Sequence, residues 1–375
     1  MYLQIAENTP LTAEGVVGLL LGGGLLSEQM LVEGDVRVEE IPGRNRNFRV
    51  VASGSGSYFV KQAPPEDLDD RWLRVEAELY RRALEQQSWS DLRPFFPRFR
   101  LYDDVQAVLV TDLELEVSHA VGFGGDNSVF GLGRIGESLA GALAACHGVD
   151  PRGEVYDLDF LPSEAPGILS VTRPRPAALQ YLSPAQAHVI QVLQTSAAMM
   201  EAFDEMRAGW SARCLIHGDV KWSNVLVRVD AKGSPRGVLL MDWELAQLGD
   251  AAWDVGSVFH GYLTHAVLSA AVPPHSNARN AAQAIGTALP SLRNELVTFW
   301  DTYSRLTQTC GEERERFLKR SVRCCIARLV QSAYEWSQSE RALPGRAAAV
   351  LQLGLNMLSH PDGARRVVLG GLAEH

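Results

Sequence analysis

The feature that most restricts how this chain can fold is the stretch CLIHGDVKWSNVLV, residues 214–227. Leu215 and Ile216 on one side, and Val225, Leu226 and Val227 on the other, are the apolar runs of two short strands. Between them stand His217, Asp219, Lys221 and Asn224, a polar centre for which a plain structural loop has no use.

The rest of the chain bounds what such a centre can serve. At 375 residues it is too long for one small core and suits one large enzyme with two lobes of unequal size. With 46% apolar and 21% charged residues it is globular rather than disordered. The net charge is −10 without a basic block or an aromatic-rich basic stripe, which argues against nucleic acid as a partner. That acidic balance favours cationic small molecules or peptides, and equally suits a soluble protein kept apart by self-repulsion. Five cysteines, at 146, 214, 310, 324 and 325, have no CxxC spacing and read as buried thiols in a reducing compartment. The longest apolar run, VVGLLLGGGLL, is broken by glycines and falls short of the roughly 18 residues a membrane span needs. No membrane partner and no signal peptide are expected, and the location expected is cytoplasmic.

Residues 9–30 read as a helical entry segment capped by Thr9 or Thr12. The alternating runs VRVEEI, NFRVVA and SYFVKQ, separated by PGRNRN and SGSGS, read as a strand meander. A polar helix over Leu68 to Gln86 and two strands, FRLYDD and AVLVTD, complete a small lobe over residues 1–113. Over residues 114–375 helical patterns dominate: FGLGRIGESLAGALAACHG, SPAQAHVIQVLQTSAAMMEAFDEMRAG, AWDVGSVFHGYLTHAVLSA, LRNELVTFWDTYSRL and Glu313 to Gln338. The strands CLIHG, NVLVRV and GVLLMDW lie between the second and third of these, and residues 150–180 form the longest irregular connection. The fold class expected is α+β: a small N-terminal antiparallel-sheet lobe with one helix and a larger, mainly helical C-terminal lobe.

Phosphoryl transfer from ATP demands metal-binding side chains near the phosphates, a carboxylate to orient the attacking hydroxyl, and a lysine on the α and β phosphates. The pattern H-G-D-x-x-x-x-N supplies Asp219 and, five residues later, Asn224; LLMDWE then places Asp242 at the end of another apolar strand. If NVLVRVD and GVLLMDW pair through the turn AKGSP, Asn224 and Asp242 reach the same end of a hairpin. Two oxygen ligands there suit magnesium, which keeps several waters and takes the rest of its shell from phosphates.

HGDVKWSNVLV followed by MDWELAQLGDAAWDVGS resembles the aminoglycoside phosphotransferase and choline kinase-like group, relatives of protein kinases, from about residue 38 to about residue 260. The resemblance implies a bilobal protein-kinase-like fold with ATP in the cleft and Mg2+ as the metal. It implies Asp219 as the catalytic carboxylate, Asn224 and Asp242 as metal ligands, and Asp254 as a brace of the catalytic loop through His217. Lys221 is similar to the protein-kinase lysine that meets the γ phosphate. Lys61, closing SYFVKQ, takes the position of the phosphate-binding lysine, with Glu76 as its helix partner and Glu78 as the fallback. The turn Gly43 to Asn47, which includes Asn45, would cover the phosphates with backbone amides, although it lacks the full glycine-rich signature. Backbone groups from Thr111 to Leu113 would take the adenine edge.

Each residue also has a plainer reading. His217 equally fits a satisfied core histidine, Asp219 alone a turn cap, Lys61 alone a solvated strand residue, and Lys221 a lysine facing water. His147 closes a helix and reads as a favourable charge at its C-terminus. Trp222, Trp243 and Trp253 read as packing. GLGRIG, residues 131–136, matches a dinucleotide fingerprint, but the polar, glycine-rich GFGGDNSVF before it is no central strand. No G-x-x-x-x-G-K-[ST] loop is present.

The acceptor hydroxyl falls in one of two classes, and Ser or Thr of a peptide precursor in natural-product biosynthesis is expected over a small molecule. RNRNF, FVKQ and HGDVKWSN also resemble kinase-like proteins of lanthipeptide-type pathways, which phosphorylate Ser or Thr of a peptide; that implies a leader-peptide groove and a partner lyase, and Lys221 leans this way. The other class is an aminoglycoside or amino-alcohol, for which Asp112, Glu114, Glu116, Asp157 and Asp159 would line an acidic cleft or else form surface charge. A rival from another class is a catalytically silent kinase-like binding protein, against which possession of Lys61, Asp219, Asn224 and Asp242 together speaks.

Overall fold

The computed structural model describes residues 9–52, 56–64, 71–115, 117–119, 132–149, 151, 157–232, 234–269 and 278–369. The chain divides into two compact units: Met1–His119 with Asn224–Ala246, and Ala120–Ser223 with Gln247–His375.

Alternation builds the first unit. Strands β1 (Val36–Ile41), β2 (Arg46–Ala52), β3 (Tyr58–Gln62), β4 (Phe99–Asp103) and β5 (Val108–Asp112) form an antiparallel sheet in the order β1-β2-β3-β5-β4. Every second residue of β2, namely Phe48, Val50 and Ala52, turns into a core shared with Val60, Val108 and Val110. Helix α1 (Ala13–Gly22) covers that core with Val16 and Leu20 and starts at Thr12, whose hydroxyl accepts the Gly15 amide at 3.2 Å. The single entry helix expected over 9–30 is two helices. Gly24, at φ 66°, ends the first, and Ser27 caps α2 (Glu28–Val32).

Helix α3 (Arg71–Glu85) is amphipathic and buries Leu73, Glu76, Leu79 and Tyr80. The Phe96 ring packs 5.8 Å from Tyr80 and 4.4 Å from Trp243, tying α3 to the turn Trp243–Leu245. A second antiparallel sheet joins β6 (Val117–His119) to two strands that follow the second unit's β7 (Cys214–Ile216), in the order β6-β8-β9. Its β8 (Val225–Val229) and β9 (Pro235–Leu240) are the expected hairpin, with Val225 opposite Leu240. Beyond that pair the Met241 amide donates to the Asn224 carbonyl at 2.9 Å, so Asn224 and Asp242 do lie at one end of it.

In the second unit β7 pairs antiparallel with β10 (Gln247–Gly249). Around them are α4 (Leu132–His147), α5 (Pro176–Leu179), α6 (Pro184–Gln194), α7 (Ala197–Ala208), α8 (Ala252–Ser269), α9 (Ala278–Leu306), α10 (Gly311–Glu335), α11 (Gly345–Ser359) and α12 (Pro361–Leu369). The long helix expected over SPAQAHVIQVLQTSAAMMEAFDEMRAG is broken, because Ser196 leaves the helix to cap α7 through the Met199 amide. Gly133 and Gly136 of the GLGRIG stretch lie in the first two turns of α4, while Gly131 and the preceding GFGGDNSVF lie outside the described residues. All five cysteines are free thiols, and Cys310 is exposed rather than buried. Among the described residues no helix is long and apolar enough to cross a membrane.

Helices α8 and α10 cross closely at Gly256. A Cβ there would stand 2.6 Å from the Ser321 carbonyl oxygen and 2.7 Å from both Cys324 Cβ and the Cys325 nitrogen. Two of those three neighbours are backbone and cannot swing aside. Gly256→Val should therefore lower the free energy of urea unfolding by about 1–3 kcal/mol. Gly141→Ala in α4, where a Cβ meets nothing within 4 Å, should leave it unchanged or raise it.

Candidate active site

In the first unit the site grows from Lys61 on β3, opposite Asn47 of β2 and Leu109 of β5. The lysine is buried, and its Nζ reaches Glu76 Oε2 at 2.7 Å, Asp242 Oδ1 at 2.5 Å and Glu244 Oε2 at 3.4 Å. One turn along α3, the Tyr80 hydroxyl donates to Glu76 Oε1 at 2.7 Å, so both oxygens of Glu76 are held. Glu78 lies about 200° further round the helix. It pairs with Arg81 and Arg82 at 2.7 and 2.5 Å, which leaves Glu76 as the partner of Lys61. Burial alone would pull the Lys61 ammonium down; Glu76, then Asp242 and Glu244, outweigh it and raise its pKa. Oxygens of those three acids lie within 4.8 Å of one another, so a cluster of carboxylates shares the single positive charge of the lysine.

Asp242 follows β9 in a left-handed conformation, φ 64° and ψ 54°. For a non-glycine residue this costs on the order of 1 kcal/mol, and it aims the carboxylate at Lys61 while Trp243 enters the core. Asn224 is buried at the foot of β8. Within the loop Gly43 to Asn47, a Cβ on Gly43 would stand 2.5 Å from Asn47 Nδ2, and that amide donates to the Asn45 carbonyl at 3.1 Å. Asn45 Nδ2 donates to Glu244 Oε2 at 3.1 Å, and Arg44 reaches Glu244 Oε1 at 3.4 Å. Sequence reading gave Glu244 no role; it links this loop to Lys61.

Thr111 is buried in β5, and the Leu113 amide donates to the Ser57 carbonyl at 2.8 Å. Asp112 holds Arg100 through two bonds of 2.5 and 2.9 Å, and Glu114 pairs with Arg228 at 3.0 Å. Both acids are thus neutralised within the first unit. Glu116 lies outside the described residues, and Asp157 and Asp159 are exposed in the second unit.

In the second unit β7 delivers His217 and Gly218 to Asp254, the third residue of α8. The His217 amide donates to Asp254 Oδ2 at 2.7 Å and the Gly218 amide to Oδ1 at 3.0 Å. Gly218 sits at φ 81°, a conformation that favours glycine, and its carbonyl accepts the Trp253 indole N–H at 2.8 Å. Asp254 therefore braces the loop through the backbone amides of His217 and Gly218, and the His217 ring accepts the Asp219 amide at Nδ1 at 3.2 Å. His147 does more than close a helix: its Nε2 lies 3.3 Å from Asp254 Oδ2 and its Nδ1 lies 2.7 Å from the Tyr303 hydroxyl.

What the loop presents is Asp219. Its Oδ1 accepts Arg328 Nη2 at 2.7 Å and its Oδ2 accepts Lys221 Nζ at 2.6 Å. Burial would raise its pKa, but Arg328 and then Lys221 hold it well below the usual carboxylate range. Arg328 comes from α10, more than a hundred residues further on, and sequence reading missed it. The available signal was a charged residue inside the apolar run IARLV, where an arginine needs a partner.

Burial also raises the pKa of Asp254, yet the bonds from His147 and the loop outweigh it and leave it below the ordinary 3.8. A carboxylate depressed in the folded state contributes stability that is fully present above its unfolded pKa and is lost as pH falls through the folded one. Asp254→Asn turns an NH2 group toward a backbone donor and should cost about 3–5 kcal/mol near neutral pH. In urea titrations at stepped pH, the gap to the wild-type protein should hold above about pH 5 and shrink below about pH 4.

Comparison with known proteins identifies the family and the fold. Residues 37–293, more than half of the chain, match the phosphotransferase enzyme family (APH). The choline kinase of Cryptosporidium parvum superposes with a TM-score of 0.57 at 12% identity, covering 94% of this chain and 98% of that one. A choline/ethanolamine kinase family protein of Mesorhizobium loti gives 0.52 at 13% identity, covering 92% and 97%. No curated protein sequence matches the chain. The structural likenesses establish the kinase-like fold, an antiparallel-sheet N-terminal part followed by a larger helical part. With the family match spanning the lysine strand, the H-G-D loop and the strand that ends at Asp242, the chain belongs to the phosphotransferase enzyme family and is an ATP-dependent phosphotransferase with an alcohol group as acceptor.

Proposed function

We propose that the chain transfers the γ-phosphoryl group of ATP to a hydroxyl of a small molecule, with Asp219 orienting that hydroxyl. The observation that carries this reading is the carboxylate of Asp219, buried yet kept ionised by Arg328 and Lys221. Only the ionised form can accept a hydrogen bond from an attacking hydroxyl through either oxygen. Lys221 is partly exposed and would turn toward a γ phosphate, releasing Oδ2 for the acceptor, while the buried Arg328 stays on Oδ1.

Lys61, fixed by Glu76, offers its charge to the α and β phosphates. Amides of Gly43 to Asn47 cover them, and because the Leu113 amide is already engaged, the stretch Thr111 to Leu113 offers adenine the Leu113 carbonyl. Asn224 and Asp242 are hard oxygen donors at one hairpin end, a donor set that fits magnesium. When bound, the metal would neutralise phosphate charge. The same reading places the protein in the cytoplasm, in keeping with its five free thiols.

A cavity of about 270 Å³ in the second unit is lined by Lys221 and Arg328, the two cations on Asp219, together with Trp222, His260 and Trp336. Its size suits a small acceptor, so we take a small molecule over a Ser/Thr peptide with a partner lyase. Retention of Lys61, Asp219, Asn224 and Asp242 supports an active enzyme over a silent binding protein.

Asp219→Asn should lower kcat by about 10²–10⁴-fold while nucleotide affinity holds. Unchanged product formation, read by mass spectrometry of the added phosphate, would refute the role. Lys61→Met should weaken ATP binding measured by calorimetry. Arg328→Met and Lys221→Met each remove a cation, raise the Asp219 pKa, and should move the acid limb of the kcat profile to higher pH; a limb that stays in place in both variants contradicts the assignment.

A further inference from the structure

Helix α8 carries a glycine where the helix itself gains nothing from one. Gly261 lies in the middle of Ala252–Ser269, so no turn calls for it, and after proline glycine is the least favourable residue inside a helix. What the missing side chain makes room for is the indole of Trp222. A Cβ on Gly261 would stand 3.1 Å from Trp222 Nε1, 3.2 Å from its Cε2 and 3.6 Å from its Cδ1, and these are its three nearest neighbours. The pyrrole side of the indole therefore rests on bare α8 backbone. Beside it the Tyr262 ring packs edge-to-face against Trp222, with centroids 4.7 Å apart. Gly256, on the same helix, answers to a different element, since its three nearest neighbours all belong to α10.

Trp222 stands three residues after Asp219 and next to Lys221, whose Nζ bonds Asp219. Packing alone does not account for it. Trp243 and Trp253 are 0% and 1% exposed, whereas Trp222 is half-buried, between the exposed Lys221 and Ser223. Trp222, Gly261 and Tyr262 all line the cavity of about 270 Å³ to which Lys221 and Arg328, the two cations on Asp219, also contribute. Both contacts that fix the indole are thus made on the wall of that cavity, by residues of one helix, while its backbone belongs to the loop that carries Asp219.

We infer that Trp222, seated on Gly261, is a specificity-determining residue for the acceptor, and that its indole sets how bulky a hydroxyl compound the cavity admits. This rests on the reading of the cavity as the acceptor site given above, and adds to it the ring that selects by size and the glycine that positions the ring. A side chain at position 261 forces the indole to give by a few tenths of an ångström. Loss of the ring removes a contact surface and opens the wall.

The test gives the full-length protein ATP and magnesium with ethanolamine, choline, phenylethanol, naphthylethanol and kanamycin, a set graded in bulk, and quantifies phosphorylated products by mass spectrometry. Trp222→Ala should raise KM for the acceptor that the wild-type protein uses best by about tenfold, and shift kcat/KM toward the bulkier members of the set. Trp222→Phe should recover part of that loss. Gly261→Ala should raise the same KM severalfold in the wild-type background and have no effect in the Trp222→Ala background, as expected of a change that acts through the indole. KM for ATP should hold in every variant. The urea midpoint of Gly261→Ala should hold or rise, because alanine favours the helix, which separates the KM effect from loss of fold. Gly141→Ala serves as the control and should move none of these quantities. No product from any member of the set, an acceptor KM that Gly261→Ala does not move, or a Gly261→Ala effect of equal size in the Trp222→Ala background overturns the inference. Where Trp222→Ala does not fold, Trp222→Phe and the KM of Gly261→Ala decide the matter. The kinase-site reading fails separately, if product formation survives Asp219→Asn and ATP affinity survives Lys61→Met.

Discussion

The second unit is organised around one buried carboxylate. Asp254 accepts the amides of His217 and Gly218, and through them fixes where the chain turns before Asp219. It sits in the first turn of α8, where unpaired amides favour an anion, and is backed by His147. The helix it opens also carries Gly256, His260 and Thr264, so one residue orients both the loop and the face that lines the cavity. Gly256 adds the second constraint, since only a residue without a side chain lets α10 approach closely enough for Ser332 to reach His260.

In the first unit the equivalent centre is a cation. Lys61 holds three acids that would otherwise repel one another, and each acid is anchored to a different part of that unit: Glu76 to α3, Asp242 to the end of β9, Glu244 to the loop after β1. Taking such charges out of water is costly, and two of the three carboxylates have further donors that offset it, Tyr80 for Glu76 and Asn45 for Glu244. The left-handed backbone at Asp242 is the visible strain in this arrangement.

Local pattern made much of this legible. Alternation located β1 through β5, the hairpin β8–β9 followed from its flanking apolar runs and turn, and the choice of Glu76 over Glu78 agrees with the helix period. Where the reading went astray, a side chain spoke to its own backbone: Ser27 and Ser196 each cap the start of a new helix, which hydrophobic periodicity does not register. The contacts missed altogether are long in sequence. Arg328 to Asp219, His147 to Asp254 and Glu244 to Asn45 depend on how distant elements pack, and no spacing within a window of residues encodes them.

Glu244 is shared between the Lys61 ammonium and the side chains of Arg44 and Asn45. A ligand that draws Lys61 away therefore leaves this carboxylate to the loop alone and strengthens its hold there. By reciprocity, whatever displaces the loop changes the lysine's affinity for an incoming anion by the same factor. Two places that seem separate along the chain thus behave as one thermodynamic unit.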